Sequence, residues 1–493
     1  MQHVDLRYCH SRHKRVGGMV SENAAARPGK RGLKLIVWIG TLILLAICLW
    51  LEGKRLIIKP FPPVTFSEPA EEFKYGSIGA ETNGFPSLVW TELPTIFKDR
   101  MPDGWRTFGF IFEPDHALPI GVSVRRTAVQ RVGFNCATCH TAEIQAGSNN
   151  LVVLGAPAEQ LDLQAYLLFL IEASQDPRLS TDAVIESAQT NGRAVGWIDQ
   201  LTLRYAIMPG LKREAIDLAS SFAWMKMKPP HGPGRTDAGN VWRQRWGMHP
   251  ERDTALGTVD FPSVWNQRIR LDGWFHWDGN NSSLTERNYS AALAGGATDW
   301  LLDRRKIGTI SDWLLDLEAP RFPGPLDEST VAAGRAVYER ARCATCHDPG
   351  TGRTGQVTDI DVVGTDPQRA LLFDNEMVRR FGDVGKGYSW RFTHYRSSHG
   401  YANMPLDGIW ARAPYLHNGS VPDLASLLDP PEKRPARFQR GCRQYDLERA
   451  GYACSQDVAF DTTLLGNSNA GHLYGTDLSE ADKSALLAYL KSL

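Results

Sequence analysis

The sequence has no excess of either charge. Its 493 residues carry 55 Lys and Arg against 55 Asp and Glu, so the charge balance does not favour a nucleic-acid partner. Hydrophobic residues make up 42% and charged residues 22%, a composition that excludes a disordered chain and provides enough apolar material for sizeable cores. The length alone predicts about two to four domains.

Cysteine is scarce, and the eight that are present separate by position. Four of them lie in two Cys-x-x-Cys-His motifs, at residues 136–140 and 343–347. Two more lie in, or before, an apolar run near the N-terminus. Cys442 and Cys454 remain, and in an oxidising compartment a disulfide between them is favoured over two unpaired thiols.

The spacing within each motif is typical of the attachment site of a c-type haem. On a helical turn, positions i, i+3 and i+4 share one face, so two thiols can form thioethers with the haem vinyl groups while the adjacent imidazole reaches the iron. A four-cysteine zinc site would place its pairs about 15–20 residues apart, and a redox dithiol needs no following histidine. We therefore predict two covalently attached haem c groups, held by Cys136, Cys139, His140, Cys343, Cys346 and His347.

The N-terminal part of the chain predicts a membrane anchor. Residues 1–34 are polar and basic, and residues 35–51 form an apolar run without a charge. This run is at the short end for a transmembrane helix, and the basic flank favours a cytoplasmic N-terminus. A cleaved signal peptide and a lipoprotein are alternatives, but the small residues that such cleavage requires are missing. We predict a cytoplasmic tail, an uncleaved signal anchor in the inner membrane, a Pro-rich linker over 52–72 and haem domains in the periplasm.

The rest of the chain predicts a mainly α fold with two cytochrome c-like haem domains and extensive loops, over 73–320 and 326–493. A Pro- and Gly-rich stretch at 320–325 marks the boundary between them. Gly334, one turn before Tyr338, would allow the helix that leads into the second motif to cross another helix closely. Predicted helices cover residues 161–174, 180–192, 311–317, 330–342 and the amphipathic stretch after Ser479.

Two loops carry residues suited to a haem pocket. A Pro- and Gly-rich loop ends in Arg235, which is either part of a plain connector or a partner for a propionate of the first haem. The stretch 273–280 contains His276 and Trp277, and it predicts a packed corner, a lining for the distal side of the first haem or an aromatic relay between haems. These two residues are the catalytic candidates, and His276 or Glu286 could provide the acid–base group that peroxide reduction requires.

Residues 414–422, Pro-Tyr-Leu-His-Asn-Gly-Ser-Val-Pro, resemble an element of the bacterial dihaem cytochrome c peroxidases. Their surroundings are more similar to the related dihaem rubber oxygenases, through Gly-Thr-Asp-Pro at 364–367, Leu-Asp-Gly-Ile-Trp at 406–410 and Gly-His at 471–472. The resemblance covers roughly residues 73–493. In the rubber-oxygenase type it implies a first iron with no protein side chain on its distal side.

Two departures separate the chain from the peroxidases. Pro431 stands where they have a methionine ligand for the second iron, and Ala156 where a histidine can cap the first. The rubber-oxygenase type holds its second iron by two histidines, and His472, on a Gly-rich stretch before the terminal helix, matches the distal one. We predict His140 on the first iron and His347 with His472 on the second. The candidates weighed for the distal position are Met377, His394, His399, Met404, His417 and His472, with His417 and Met404 the main rivals.

These observations predict a membrane-anchored periplasmic dihaem oxidoreductase with a peroxidase-like reaction. The alternatives are a rubber-oxygenase-like enzyme that uses dioxygen and a cytochrome that only transfers electrons. The first haem would react, and the second would exchange electrons with it. The expected partners are the cytoplasmic membrane, through residues 35–51, and a redox partner, which is a small cytochrome, a cupredoxin or a quinol-linked donor.

Overall fold

The computed structural model describes residues 34, 37–47, 50, 62–455 and 458–493. Of the predicted tail over 1–34, anchor over 35–51 and linker over 52–72, residues 1–33, 35–36, 48–49 and 51–61 lie outside the described residues. Pro60–Leu493 forms one compact unit, which contains both attachment motifs.

The prediction of an N-terminal transmembrane helix is wrong. Within the apolar run, the structure describes a continuous helix at 37–47 and a helical residue at 50. Along the described part of the chain, no helix has both the length and the apolar character needed to cross a membrane. The predicted location, a single-pass inner-membrane protein with periplasmic haem domains, is corrected accordingly, and anchoring through residues 35–51 has no support.

The prediction of a mainly α fold is also wrong, because short strands form several small antiparallel sheets. One sheet has three strands in the order β1-β3-β2, and the others are the pairs β4–β5, β6–β7, β8–β9, β10–β13 and β11–β12. These strands lie where the sequence has weak helical periodicity and many Gly and aromatic residues, which favour turns and extended chain. The strands are β1 (Phe85–Pro86), β2 (Val122–Arg126), β3 (Gln130–Phe134), β4 (Thr141–Ala146), β5 (Asn149–Leu154), β6 (Arg235–Thr236), β7 (Val259–Asp260), β8 (Val357–Asp359), β9 (Gly400–Ala402), β10 (Arg437–Arg440), β11 (Tyr445–Asp446), β12 (Gly451–Tyr452) and β13 (Val458–Asp461).

The helices that the sequence predicts are present, with shifted ends. Side-chain caps set several starts, because Ser180, Asp327 and Ser479 each accept a hydrogen bond from a backbone N–H of the first turn. The α-helices are Pro69–Tyr75, Ser87–Ile96, Cys136–Cys139, Leu163–Gln175, Thr181–Thr190, Trp197–Thr202, Met208–Ser221, Ala238–Arg245, Leu284–Ala294, Arg304–Leu315, Glu328–Arg340, Ala344–His347, Ile360–Val363, Gln368–Leu372, Asn375–Phe381, Leu424–Leu427 and Glu480–Ser492. Single turns of 3₁₀ or π helix cover Ala80–Asn83, Gly104–Phe108, Leu203–Ile207, Ala223–Met227, Pro250–Arg252, Gln267–Arg270, Pro349–Thr351, Ile409–Ala411 and Pro431–Lys433.

The close helix crossing predicted from Gly334 is confirmed. Helix Glu328–Arg340 packs across helix Glu480–Ser492, and a Cβ on Gly334 would lie 1.9 Å from the carbonyl oxygen of Ala485. Only glycine allows the two backbones to approach this closely. Tyr338, one turn further on, packs its ring against that of Tyr489 at a centroid distance of 5.2 Å. The crossing supports the chain that leads into the second motif.

The hydrophobic cores include residues from both sides of the predicted domain boundary at 320–325. One core contains Phe73 and Phe381, and Cys136 packs against it. Another contains Ile144 and Trp410. The boundary itself stays a prediction. The core against which Cys136 packs nevertheless contains residues from both halves of the sequence.

Candidate haem-binding site

The first attachment motif is a short buried helix with a fixed start. Asn135 caps helix Cys136–Cys139 by accepting a hydrogen bond from the N–H of Ala137 at 3.0 Å. The amide of Asn135 also donates to the carbonyls of Lys74 and Gly76. Because the cap is itself held on two sides, the motif has a single orientation in the core.

His140 is prepared for metal binding through its other ring nitrogen. Its Nδ1 donates a hydrogen bond to the carbonyl oxygen of Pro262 at 2.8 Å, which leaves the lone pair on Nε2. Burial lowers the pKa of His140 to about 4, so the ring is neutral. Burial also raises the pKa of Cys136 to about 11 and that of Cys139 to about 12, so neither is a reactive thiolate.

The second motif repeats this proximal arrangement nearer to the surface. His347, the last residue of helix Ala344–His347, donates from Nδ1 to the carbonyl oxygen of Met404 at 2.7 Å. Burial lowers the pKa of His347, so this ring is also neutral. Cys343 and Cys346 are half-buried. Both motifs therefore present an imidazole oriented by a backbone carbonyl from a distant part of the chain.

The ring of His472 faces that of His347, with the two centroids 6.3 Å apart. Two metal–imidazole bonds of about 2 Å, plus half a ring on each side, give a centroid distance of roughly 6 Å. The observed centroid distance matches this value. The loop that carries His472 is held at its backbone, since its N–H donates to Val363 and Arg434 donates to its carbonyl. Nδ1 of His472 is buried and has no hydrogen-bond partner among the described residues.

The other five candidates for the distal position lie in different surroundings. Met377 is buried in the core beside the first motif, and the carbonyl of Met404 holds His347. His394 and His399 are exposed and paired with Glu286 and Asp359. His417 is buried and stacks on Tyr401, with centroids 3.9 Å apart. Ligation of the second iron by His472 stays a prediction, and this geometry is compatible with it.

Two copies of one turn bring Trp277 and His417 together. Antiparallel bridges between residues 275 and 281 and between residues 415 and 421 each enclose a four-residue turn, at 276–279 and 416–419, with left-handed residues at its first and last positions. Trp277 and His417 occupy the same position in the two turns. Trp277 Nε1 donates to the carbonyl of Asp260 at 2.8 Å, and the N–H of Asp260 donates to the carbonyl of His417 at 2.9 Å. The turns therefore meet on β7, two residues before the carbonyl that holds His140.

Sequence reasoning missed this duplication, although a signal was present. Trp-Asp-Gly-Asn at 277–280 and His-Asn-Gly-Ser at 417–420 share an Asx-Gly pair that follows an aromatic or imidazole ring. The role of Asp260 had no such signal, because it acts through its backbone.

One cavity is lined by both Pro262 and Met404, the two residues whose carbonyls orient His140 and His347. It is also lined by His276, Arg270, Arg287 and Arg412, among others. Burial lowers the pKa of Arg270 to about 9 and that of Arg287 to about 10, and Nε of each is buried without a partner in the described part of the chain. Buried guanidinium groups require anions. The propionate groups of haem would provide them, so these residues fit the cofactor.

Arg235, predicted to bind a propionate, is also buried and only partly satisfied. It is 1% exposed, and Nη1 donates to the carbonyl of His231 at 3.2 Å. Nε and Nη2 have no partner among the described residues, and burial lowers the pKa of Arg235 to about 9. It does not line the cavity of Arg270, Arg287 and Arg412. The propionate contact stays a prediction.

The two candidate acid–base groups differ. Burial raises the pKa of Glu286, but hydrogen bonds from the ring of His394, from the N–H groups of Thr393 and His394 and from Asn281 bring it below its usual value. Glu286 is thus a saturated structural carboxylate. His276 lines the cavity, its Nδ1 donates to Oδ1 of Asn280 at 2.6 Å, and burial lowers its pKa to about 3.

An aromatic shell that the sequence did not predict packs beside the first motif. Phe381 stacks on Tyr395 with centroids 4.2 Å apart, and Phe373 lies 5.4 Å from Phe381. Trp242 joins the same cluster, against which Cys136 packs. Most of these rings come from residues 373–395, in the second half of the chain, so the local sequence around the first motif gave no sign of them.

The favoured disulfide is confirmed. Cys442 and Cys454 are bonded, with Cα atoms 5.4 Å apart, and close the loop that contains β11 and β12.

Of the two families that the sequence resembles, comparison with known proteins supports the rubber-oxygenase-like one. A family model described as RoxA-like, cytochrome c-like matches residues 400–439, which include β9 and the turn at 416–419. Uncharacterized protein y4iJ of Sinorhizobium fredii (strain NBRC 101917 / NGR234) is 26% identical, over 90% of this chain and 87% of the relative. Uncharacterized protein y4iM of the same organism is 33% identical, over 45% of this chain and 59% of the relative. The match supports similarity to the rubber-oxygenase-like c-type cytochromes and implies covalently bound haem c; the number of haems, two, stays a prediction.

Proposed function

We propose that the chain is a dihaem c-type cytochrome oxidoreductase whose first haem is the site of dioxygen chemistry and whose second haem transfers electrons. A haem iron with an open position binds and activates dioxygen or peroxide, and the polarity of the distal pocket decides which reaction follows. The observation that carries the proposal is the apolar aromatic shell of Phe373, Phe381 and Tyr395, in the hydrophobic core against which Cys136 packs. Such a shell excludes water and suits an apolar substrate.

The saturated state of Glu286 supports dioxygen over peroxide. Reduction of peroxide requires a free acid–base group that moves a proton at the distal oxygen. Every oxygen of Glu286 already accepts a hydrogen bond, and these bonds join helix Leu284–Ala294 to the loop at 393–394. The carboxylate is therefore committed to structure. The rubber-oxygenase resemblance implies the same class of reaction.

The residues around each proximal histidine have defined tasks in this proposal. The carbonyl of Pro262 keeps a proton on Nδ1 of His140, so Nε2 stays available as the ligand. The carbonyl of Met404 does the same for His347. Arg270 and Arg287 would bind propionate carboxylates, since their buried guanidinium groups lack a carboxylate partner within the described residues.

Trp277 is proposed as the electron relay between the haems. Its indole is fixed by the hydrogen bond to Asp260, and it packs in the same small cluster as Tyr401, which stacks on His417. An ordered aromatic ring between two redox centres shortens the through-space steps. Electrons would enter at the half-buried second motif from a small cytochrome, a cupredoxin or a quinol-linked donor.

A peroxidase is the second candidate, and His276 is the observation that favours it. The ring lines the cavity with three arginines, and because Nδ1 donates to Asn280, Nε2 of the neutral ring carries the lone pair. General acid–base groups contribute about 10²- to 10⁴-fold to a rate.

One experiment separates the two reactions. Oxygen uptake is measured with an isoprenoid polymer, and peroxide-dependent oxidation of a reduced cytochrome c is measured separately, in the parent and in His276→Leu. Leucine is the residue that the second turn has at this position, Leu416, so the backbone tolerates it. We expect oxygen uptake in both proteins within about twofold. Peroxide turnover that exceeds oxygen uptake and falls at least 100-fold in the variant would support the peroxidase instead, and the absence of both activities would leave only electron transfer.

A further inference from the structure

Arg440 is distant from both motifs in the sequence, but its side chain holds the segment that orients His140. It is 1% exposed. Nη2 donates to Glu159 Oε2 at 2.6 Å and to Asp260 Oδ1 at 2.9 Å, and Nε donates to Glu159 Oε1 at 3.0 Å. Both carboxylates are buried. Charge-assisted hydrogen bonds in a low-dielectric interior are strong and fix geometry closely.

The two carboxylates that Arg440 binds, Glu159 and Asp260, lie in chain segments that contact the first motif at different residues. Asp260 ends β7 and lies two residues before Pro262, whose carbonyl accepts the hydrogen bond from Nδ1 of His140. Glu159 follows Ala158, whose N–H donates to the carbonyl of Cys139 at 3.2 Å. A displacement of the guanidinium would therefore move the chain on both sides of the motif.

The disulfide secures the chain that carries Arg440. Cys442 lies two residues after it and is bonded to Cys454. The carbonyl of Cys442 accepts a hydrogen bond from Nε2 of Gln160 at 2.8 Å. Oε1 of Gln160 in turn accepts the N–H of Glu143, in β4, at 3.1 Å. The disulfide-bonded loop is thus attached to the strand that follows the first motif.

We propose that Arg440 is a positioning residue for His140 and that the Cys442–Cys454 disulfide supports this role. A hydrogen bond from Nδ1 to a carbonyl makes an imidazole a more basic metal ligand. When Arg440 is lost, β7 relaxes, the bond to Pro262 lengthens, and the ligand becomes less basic. This inference rests on the proposed function, because it requires a haem iron bound to His140.

The test compares Arg440→Met with Arg437→Met in the full-length haem-loaded protein. Arg437 is in the same strand, but its side chain is 77% exposed and pairs with Asp461, so it controls for the loss of an arginine from β10. Resonance Raman spectra of the reduced protein give the iron–histidine stretch of five-coordinate haem, which is the first haem in the proposal. We expect a lower frequency in Arg440→Met and the parent frequency in Arg437→Met.

Further variants keep the test decisive if Arg440→Met does not fold. Arg440→Lys retains the charge without the two-sided contact and should give a smaller decrease in frequency. Cys442→Ser with Cys454→Ser leaves Arg440 in place and should shift the band in the same direction. An unchanged band in these folded variants overturns the inference. A pyridine haemochrome count distinguishes failure of this inference from failure of the proposed function. Two haems per chain with an unshifted band reject the inference alone. One haem per chain in the parent protein rejects the dihaem proposal.

Discussion

The two attachment segments share a motif and differ in their surroundings. In the first, Ala137 and Thr138 are 1% and 5% exposed, and Cys136 packs against the core that contains the aromatic shell. In the second, every residue of helix Ala344–His347 is half-buried. Both orient the histidine by a backbone carbonyl, so the proximal geometry does not distinguish them. What differs is the burial of the residues between the two cysteines of each motif, and the proposed roles of the two haems rest on this difference.

Replacing the two cysteines of each motif should have the largest effect, on both the number of covalent haems and the melting temperature. Cys136→Ala with Cys139→Ala and Cys343→Ala with Cys346→Ala should each reduce the covalent haem from two to one per chain, measured by pyridine haemochrome after acid-acetone extraction. The first pair should also lower the melting temperature more, because its pocket is enclosed by the core. Equal losses of stability would contradict the difference in burial.

His472→Ala tests the ligand assignment at the second site. The second haem should change from low-spin to high-spin in electron paramagnetic resonance, with the first haem unchanged. If the second haem stays low-spin with its reduction potential unmoved, His472 is not its ligand, and His417 or Met404 should be replaced next.

Gly334→Val tests the helix crossing behind the second site. The added side chain meets the carbonyl of Ala485, so unfolding free energy should fall by about 1–3 kcal/mol or more in denaturant titrations. Gly308 in helix Arg304–Leu315 is the control, because a Cβ there meets nothing within 4 Å. Gly308→Ala should stabilise by about 0.5–1 kcal/mol. Equal effects at the two glycines would mean that the crossing is not close.

The prediction with the smallest effect at neutral pH concerns His417, because its effect on stability appears only in acid. Burial lowers the pKa of His417 to about 3, whereas in the unfolded chain it takes up a proton below about 6.5. The unfolded state then binds more protons, so stability falls as pH decreases from about 6.5 towards 3, by up to ~1.4 kcal/mol per pH unit. His417→Phe keeps a ring on Tyr401 and should flatten that slope. Denaturant titrations at several pH values measure it, and an unchanged slope would contradict the burial of His417.

Sequence patterns predicted the features that depend on neighbouring residues and failed for those that depend on contacts between distant parts of the chain. Cys-x-x-Cys-His, the cap at Ser479 and the small residue at Gly334 each act within a turn or at one contact, and the structure has the helix or crossing that each predicts. The transmembrane prediction rested on hydrophobicity alone, and among the described residues no helix combines the length and the apolar character that a membrane span requires.

The missed parts of the site depend on long-range contacts. Asp260 and Pro262 act through backbone atoms, which leave no residue preference in the sequence. The aromatic shell comes from residues 373–395, far along the chain from Cys136. The small sheets were missed because their strands are two to six residues long, too short for a period of two to be recognised.

The origin of the aromatic shell sets an order of events during synthesis. The first motif emerges from the ribosome well before residues 373–395, so its pocket has no wall on that side while the chain is incomplete. Thioether formation at Cys136 and Cys139 can then occur on an open, accessible segment. In the proposed function, the late arrival of Phe381 and Tyr395 would complete the core around the first motif after the haem is attached. A chain truncated before residue 373 should therefore accept the first haem and leave it exposed to external ligands such as imidazole.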